Sequence, residues 1–577
     1  MKWGLQDSNG AFLPPRRFSD GKTQIEVVNE ILEEFESYST VLLKGVVGSG
    51  KSPMGIHVAG AMGRGLINVP VKPLQDQYMA DYEGRLRVVL DDGPLRINVV
   101  KGRFNFRCPY MARKRRHLRC SSKELLCTIP IDRETPRHKV AKRCPFWSPV
   151  YPYKVDSLDC DTFKYESIGG TQFFHRREKG CGYYDQFENY LRSDILVFNN
   201  AKWYFETLMK RKPKADIEVF DEADLFLDSL TMKTFLSVRK VDMLLKEAKT
   251  VRDSLVKEDA GKGTRILRMA ENFKRSFSSF LEKRKDNTPY DFDEDADLIL
   301  KALINLLKTL DTDLSNSILL EMKRILEYKD MVSYYIDWFN PKVTFFIPQP
   351  EIILKEFLSN SAEKTLFMSA TLQSEDVLKN IFGLEDFGFV VGETKQPGKL
   401  YVKRVGREKT VTYPNWKRDG FKEEYWKTLS KIIVTSKRPT LVQVHSFKYL
   451  PDDKRYPDIP SRKAILENNQ EEELRSFVAG GKNLIFSTKT DRGIDLPDDT
   501  CRSIVLTKYP FPDLKDPVLR VMKKRMKDEP FWRYYRDIAK REFYQQMGRG
   551  LRSESDWLEV WSPDLKVHEE LQKSGRG

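Results

Sequence analysis

The octapeptide GVVGSGKS at 45–52 constrains this chain more than any other feature. It follows VLLK at 41–44, a short apolar run of strand type, and leads into the apolar stretch PMGIHVAGAM, which suits a helix. A strand, a glycine-rich loop and a helix in that order form the setting that a phosphate loop needs. Gly45, Gly48 and Gly50 let the backbone wrap phosphates, Lys51 reaches the β- and γ-phosphates, and the Ser52 hydroxyl can ligate magnesium. The plainer reading, a chance glycine-rich turn, explains neither flank. The expectation is an α/β fold that binds ATP with Mg²⁺.

The segment ADIEVFDEAD at 215–224 alternates Ile217 and Val219 with polar residues and ends on carboxylates, as a strand whose C-terminal edge faces a ligand would. Asp221 is the candidate metal carboxylate and Glu222 the candidate group that polarises the attacking water. Alone, these residues read as a solvated acidic turn, and the phosphate loop reverses that preference. Further short buried strands are expected at TLFMSATL (365–372), LVQVHS (441–446), NLIFSTKTDRGIDLP (483–497) and SIVLTKYPFP (503–512). YQQMGRGLRS at 544–553 reads as a helix carrying Arg549 and Arg552 on one face, suited to a γ-phosphate clamp from a second domain, though two solvated arginines would look the same.

Six of the seven cysteines, Cys108, Cys120, Cys127, Cys144, Cys160 and Cys181, fall between the phosphate loop and the acidic tetrad. Bunched thiols in a large chain without a secretory leader point to metal ligands before a disulfide framework. A zinc ribbon is the rival reading, and the absence of any Cys-x-x-Cys pair argues against it. Cys501 is expected to be an ordinary buried thiol. Around Cys108, Arg103, Arg107, Arg113, Lys114, Arg115, Arg116 and Arg119 interleave with Phe104, Phe106 and Tyr110, a mixture that can follow a phosphate backbone and stack unpaired bases. Lys and Arg number 99 against 84 Asp and Glu, a net charge of +15 that favours a polyanionic partner. No apolar run has signal-peptide or membrane-span character, so an intracellular protein, cytoplasmic or nucleoid-associated, is expected.

Taken in order, these blocks resemble the XPD/DinG family of superfamily-two DNA helicases. KGRFNFRCP at 101–109 looks like the start of that family's iron–sulfur domain, GCGYYDQFENYLRSDILVFNNAKW at 180–203 looks like its end, and NVPVKPLQDQY at 68–78 resembles its first DNA-contacting motif. Lys51, Asp221, Glu222, Gln545, Arg549 and Arg552 match family motifs; Asp495 follows Gly493 and Ile494 in another, and Gln24 is similar to the adenine-recognising glutamine. The sequence departs at Asp224, where the family usually has His, at Asn200 after Asn199, and at Arg492, where Glu is frequent. The resemblance implies a 4Fe–4S cluster held by four thiolates. Cys108, Cys127, Cys144 and Cys181 are the preferred set, with gaps of 18, 16 and 36 residues, and Cys120 and Cys160 are the substitutes.

The implied fold is two RecA-like motor domains with an iron–sulfur domain and a helical arch domain inserted in the first. The expected boundaries are 1–100, 191–231 and 346–395 for the first motor domain, 101–190 for the cluster domain, 232–345 for the arch and 396–577 for the second motor domain, with ETKQPGKLY at 393–401 as hinge. In the arch region Leu298, Leu300, Leu303, Leu307 and Leu310 show helical periodicity, and DFDEDAD at 291–297 is expected to cap or link helices. The phosphate loop begins at residue 45, which is expected to leave no room for the N-terminal nuclease domain of some DinG relatives. The function implied is an ATP-dependent DNA helicase acting in DNA repair. It would work as a monomer on single-stranded and forked DNA, with five-prime to three-prime polarity taken from the family. The other class of reading is a nucleic-acid-binding ATPase subunit of a repair or CRISPR-type assembly, in which binding matters more than unwinding.

Overall fold

In a computed structural model of the chain, the strand ahead of the phosphate loop, Thr40–Lys44, lies inside a seven-stranded sheet. The structure describes residues 1–573 apart from 114–117, 120–124, 126, 128–140, 142, 157, 232, 256–259, 311–312, 396–397, 453–454, 489–495, 497, 527, 549 and 552–554. The spatial order of the sheet is Gly388–Val391, Thr40–Lys44, Lys364–Ser369, Ile217–Asp221, Gly65–Val69, Ile195–Asn199, Ile97–Val100, and every pairing is parallel. Its central strands are buried on both faces, which is why they read as continuous apolar runs. Helix Lys51–Met62 lies against the sheet so closely that a Cβ on Gly55 would stand 2.7 Å from the Met368 methyl.

The two long insertions leave and return between neighbouring strands. Residues 101–194 part Ile97–Val100 from Ile195–Asn199, which pair directly, and include a small antiparallel sheet of Val150–Tyr151, Gly170–Arg176 and Asp161–Ser167. Residues 222–363 part Ile217–Asp221 from Lys364–Ser369, again direct neighbours. Because each insertion begins and ends at one place, the parallel sheet closes without it.

Within the second insertion, helices Val238–Leu255, Ala260–Glu282, Glu294–Leu310 and Asp313–Glu327 pack each on the next. The acidic stretch caps the third of them: the Ala296 N–H donates to Asp293 Oδ1 at 2.8 Å, and Arg284 ties Asp293 to Asp295. Leu300, Leu303, Leu307 and Leu310 are buried as the periodicity requires, whereas Leu298, two positions round the helix from Leu300, is 65% exposed. The helical reading of this region also missed a four-stranded antiparallel sheet ordered Thr234–Ser237, Lys342–Phe346, Ser333–Asp337, Tyr290–Asp291. Its strands are at most five residues long, too short to register against the surrounding helical pattern.

A second parallel sheet, ordered Lys399–Val402, Trp557–Trp561, Ser503–Leu506, Thr440–Gln443, Leu484–Ser487, forms the C-terminal unit. Helix Asp528–Met547 reaches from it to the first sheet. It ends at Met547, and Arg549 and Arg552 lie outside the described residues. Among the described residues no helix is long and apolar enough to cross a membrane.

Candidate active site

Three strands of the first sheet deliver the site. Thr40–Lys44, Lys364–Ser369 and Ile217–Asp221 are adjacent and parallel, so the loops at their carboxyl ends converge. Gly48 and Gly50 adopt left-handed backbone, at φ 79° and 76°, which a side chain would oppose. A Cβ on Gly50 would also stand 2.2 Å from Gln24 Nε2. Lys51, 7% exposed, donates from Nζ to the carbonyls of Gly45 at 3.0 Å and Val46 at 3.2 Å. Ser52 Oγ donates to Asp221 Oδ2 at 3.1 Å, which sets a hydroxyl and a carboxylate side by side as a magnesium site requires.

Glu222 follows in left-handed backbone, at φ 52°, unusual for a residue with a long side chain. Its carboxylate accepts from Gln545 Nε2 at 3.5 Å, and the same amide donates to Thr371 Oγ1 at 2.5 Å. Gln545 belongs to the helix of the second unit, so the candidate water-polarising group is touched from both sheets. Asp224, fully buried, accepts from Ser369 Oγ at 2.7 Å and Thr371 Oγ1 at 3.1 Å. An aspartate in the fourth place of the acidic tetrad thus ties the strand end at 369–371 to the carboxylates. Cavities of about 570 and 500 Å³ lie on either side of the loop, the first lined by Lys51, Ser52, Asp221 and Glu222, the second by Gly45, Thr371, Arg541 and Tyr544.

Gln24 is buried against the loop, donating to the Ser49 and Gly50 carbonyls at 3.3 and 3.2 Å and accepting the Arg16 N–H at 2.8 Å. Asp495 lies outside the described residues. Two contributors were not anticipated. Tyr78, in the segment read as DNA-contacting, donates its hydroxyl to Asp221 Oδ2 at 2.8 Å. Arg541 makes a bidentate pair with Asp228, at 2.7 and 2.9 Å, and a further bond to Asp537 at 2.7 Å. Burial alone would lower the Arg541 pKa, and the two carboxylates more than reverse that. Because the guanidinium is 4% exposed and spans the two units, Arg541→Ala should cost about 3 kcal/mol, the usual penalty for breaking a buried pair. Denaturant unfolding should then separate the two units into distinct transitions, and an unchanged single transition would exclude this role.

In the first insertion, Cys108, Cys127, Cys144 and Cys181 are all buried, while Cys160 is half-exposed and Cys120 lies outside the described residues. Burial pushes the Cys108 thiol up and the Cys144 thiol up to about 12, and each is raised further by the charges of the other named thiols: Cys127 and Cys181 at Cys108; Cys127, Cys108 and Cys181 at Cys144. Cys108 and Cys144 therefore each lie near enough to Cys127 and Cys181 for their charges to be felt. Backbone N–H groups of Met111 and Tyr110 at Cys108, and of Phe146 at Cys144, act the other way and favour thiolates. Cys160 instead neighbours Thr162, Arg177, Asp161 and Asp159. Among the described residues no three or more His, Cys, Asp or Glu are placed to hold a single metal ion. Four buried thiols are of the chemistry that an iron–sulfur cluster takes as ligands.

Of the basic–aromatic run, Arg103 turns inward: it donates to Tyr184 OH at 3.0 Å, lies 3.8 Å from Cys127 Sγ and covers the Tyr183 ring. That removes it from the residues free to follow a phosphate backbone. Phe104 is 65% exposed, and Arg113 lies over the Phe146 ring. Lys114, Arg115 and Arg116 are outside the described residues.

The family model for the helicase C-terminal domain matches residues 430–574. No curated protein matches the sequence. Among solved structures, an XPD helicase is 15% identical and superposes with a TM-score of 0.60 over 96% of this chain and 98% of its own. An apo XPD structure gives 14% and 0.57 over 95% and 98%, and Xpd4 of S. tokodaii gives 15% and 0.57 over 96% and 98%. At such identities the likeness is one of fold: two RecA-like units in the arrangement of XPD helicases.

Proposed function

For a chain with the XPD helicase fold and a helicase C-terminal domain, we propose the activity of an ATP-dependent DNA helicase that moves along single-stranded DNA and separates duplex strands. The observation that carries this reading is the contact of Gln545, from the second sheet, with Thr371 and Glu222 beside the phosphate loop of the first. A site completed by both units makes hydrolysis depend on how they sit together, and that dependence is what converts chemistry into steps.

In this reading the amides of the loop and Lys51 hold the phosphates, and Ser52 with Asp221 holds Mg²⁺. Glu222 orients the attacking water, and its strained backbone fixes the direction of the carboxylate. Arg549 and Arg552 would stabilise charge on the transferring phosphoryl group from the second unit. Cys108, Cys127, Cys144 and Cys181 would hold a 4Fe–4S cluster, which when bound would tie together the segments of the insertion that carry them. The polarity, five-prime to three-prime, follows the family resemblance.

The test is strand separation by protein purified without oxygen, on duplexes with a five-prime tail, a three-prime tail or a fork. ATP-dependent unwinding of the five-prime-tailed and forked duplexes is expected. Tight binding of single strands with ATP turnover and no unwinding of any substrate would overturn the helicase reading.

A further inference from the structure

The sheet at the base of the second insertion has one buried face and one that is partly open. Leu236, Val343, Phe345, Tyr334 and Ile336 point inward and are fully buried. Side chains alternate along a strand, so Phe235, Thr344 and Tyr335, directly opposite one another, share the other face with Lys342. Phe235 is 43% exposed there. A lone exposed phenylalanine needs no explanation. This one has company: Lys240 Nζ stands 4.0 Å and Lys342 Nζ 5.5 Å from its ring centroid.

A cavity of about 330 Å³ opens beside it, lined by Tyr204, Phe205, Phe226 and Phe357, with Lys233 and Lys240 at its polar positions. The Glu321 carboxylate in the same lining is engaged by Thr234 Oγ1 at 2.6 Å, and Lys342 also pairs with Asp337 at 3.3 Å. Thr344 Oγ1, 5% exposed under this face, has no hydrogen-bond partner among the described residues. The cavity is of ligand size, larger than a packing void. An apolar, aromatic lining disfavours a compact inorganic anion, and the two lining amines, with Lys342 beside the Phe235 ring, disfavour a neutral apolar guest. A ligand that is planar, aromatic and polyanionic satisfies both, and single-stranded nucleic acid is that ligand.

We propose that this pocket, where the first sheet meets the inserted helices, receives an unstacked base of the single strand on Phe235, with flanking phosphates on Lys233, Lys240 and Lys342. The inference rests on the DNA reading above and adds a contact site away from the nucleotide. Binding of a fluorescent oligothymidylate to the full-length protein tests it. Phe235→Ala should weaken binding about tenfold, the loss of one base–aromatic stack, while Phe235→Trp retains it. Lys240→Gln with Lys342→Gln should reduce the magnitude of the salt slope by roughly 0.7 per lost contact. ATP turnover without DNA should stay at the wild-type level in all three variants. Wild-type protein that fails to bind the oligonucleotide would remove the DNA reading and this pocket with it. Wild-type binding matched by Phe235→Ala and by the double lysine variant would overturn the pocket alone.

Discussion

Lys51→Ala will abolish measurable ATP hydrolysis, a loss of about a thousandfold, and Glu222→Gln will bind ATP normally yet turn it over about a hundredfold more slowly. The two differ because one removes the cation that neutralises the β- and γ-phosphates and the other removes only the group that orients water. Lys51 is 7% exposed and donates to two loop carbonyls, so truncation also withdraws two hydrogen bonds from the loop. Lys51→Arg, which keeps charge and bulk, separates that structural effect from chemistry: it should fold like the wild type and still hydrolyse poorly, since a guanidinium cannot replace a compact ammonium in a cradle of this shape. Near-wild-type turnover by Lys51→Ala or Glu222→Gln would remove the assignment of the site.

What the sequence made legible here was local. Gly48, Gly50, Lys51 and Ser52 are a continuous motif whose flanks declare a strand and a helix, and the structure has both. The short apolar runs at 217–221, 364–369, 440–443 and 503–506 became parallel strands because only burial on both faces tolerates such composition. What stayed hidden was non-local. Arg541 and Asp228 lie 313 residues apart, and no pattern in either neighbourhood announces the other. Tyr78 reads as part of a surface motif until the helix Lys72–Ala80 is placed beside Ile217–Asp221, where its hydroxyl finds Asp221. The described helix ends at Met547, where glycines follow at 548 and 550, and glycine costs about 1 kcal/mol in a helix interior. In the second insertion, strands of two to five residues are much shorter than the window of about 11–18 residues over which a helical pattern shows, so the flanking helices dominated the reading.

The same separation between local signal and spatial grouping bears on the cysteines. Six thiols in one stretch left the choice of four open: Cys108, Cys127, Cys144 and Cys181 are buried, Cys160 is half-exposed among Thr162, Asp159 and Asp161, and Cys120 lies outside the described residues. Cys127→Ser or Cys144→Ser should therefore lose most of the bound iron and sulfide in protein prepared without oxygen, because a missing thiolate opens the cluster. Unwinding should disappear with the iron, since a bound cluster would tie the segments carrying Cys108, Cys127, Cys144 and Cys181 to one another. ATP turnover should fall less, because Lys51, Asp221 and Glu222 stand on loops of the first sheet outside the insertion. Cys160→Ser and Cys120→Ser serve as controls and should keep wild-type iron. If Cys120→Ser loses iron while Cys127→Ser retains it, the second ligand is Cys120 and the grouping by burial is wrong. Wild-type protein that carries zinc, or no metal at all, under the same anaerobic preparation would sink the cluster itself and turn the buried thiols into ordinary core residues.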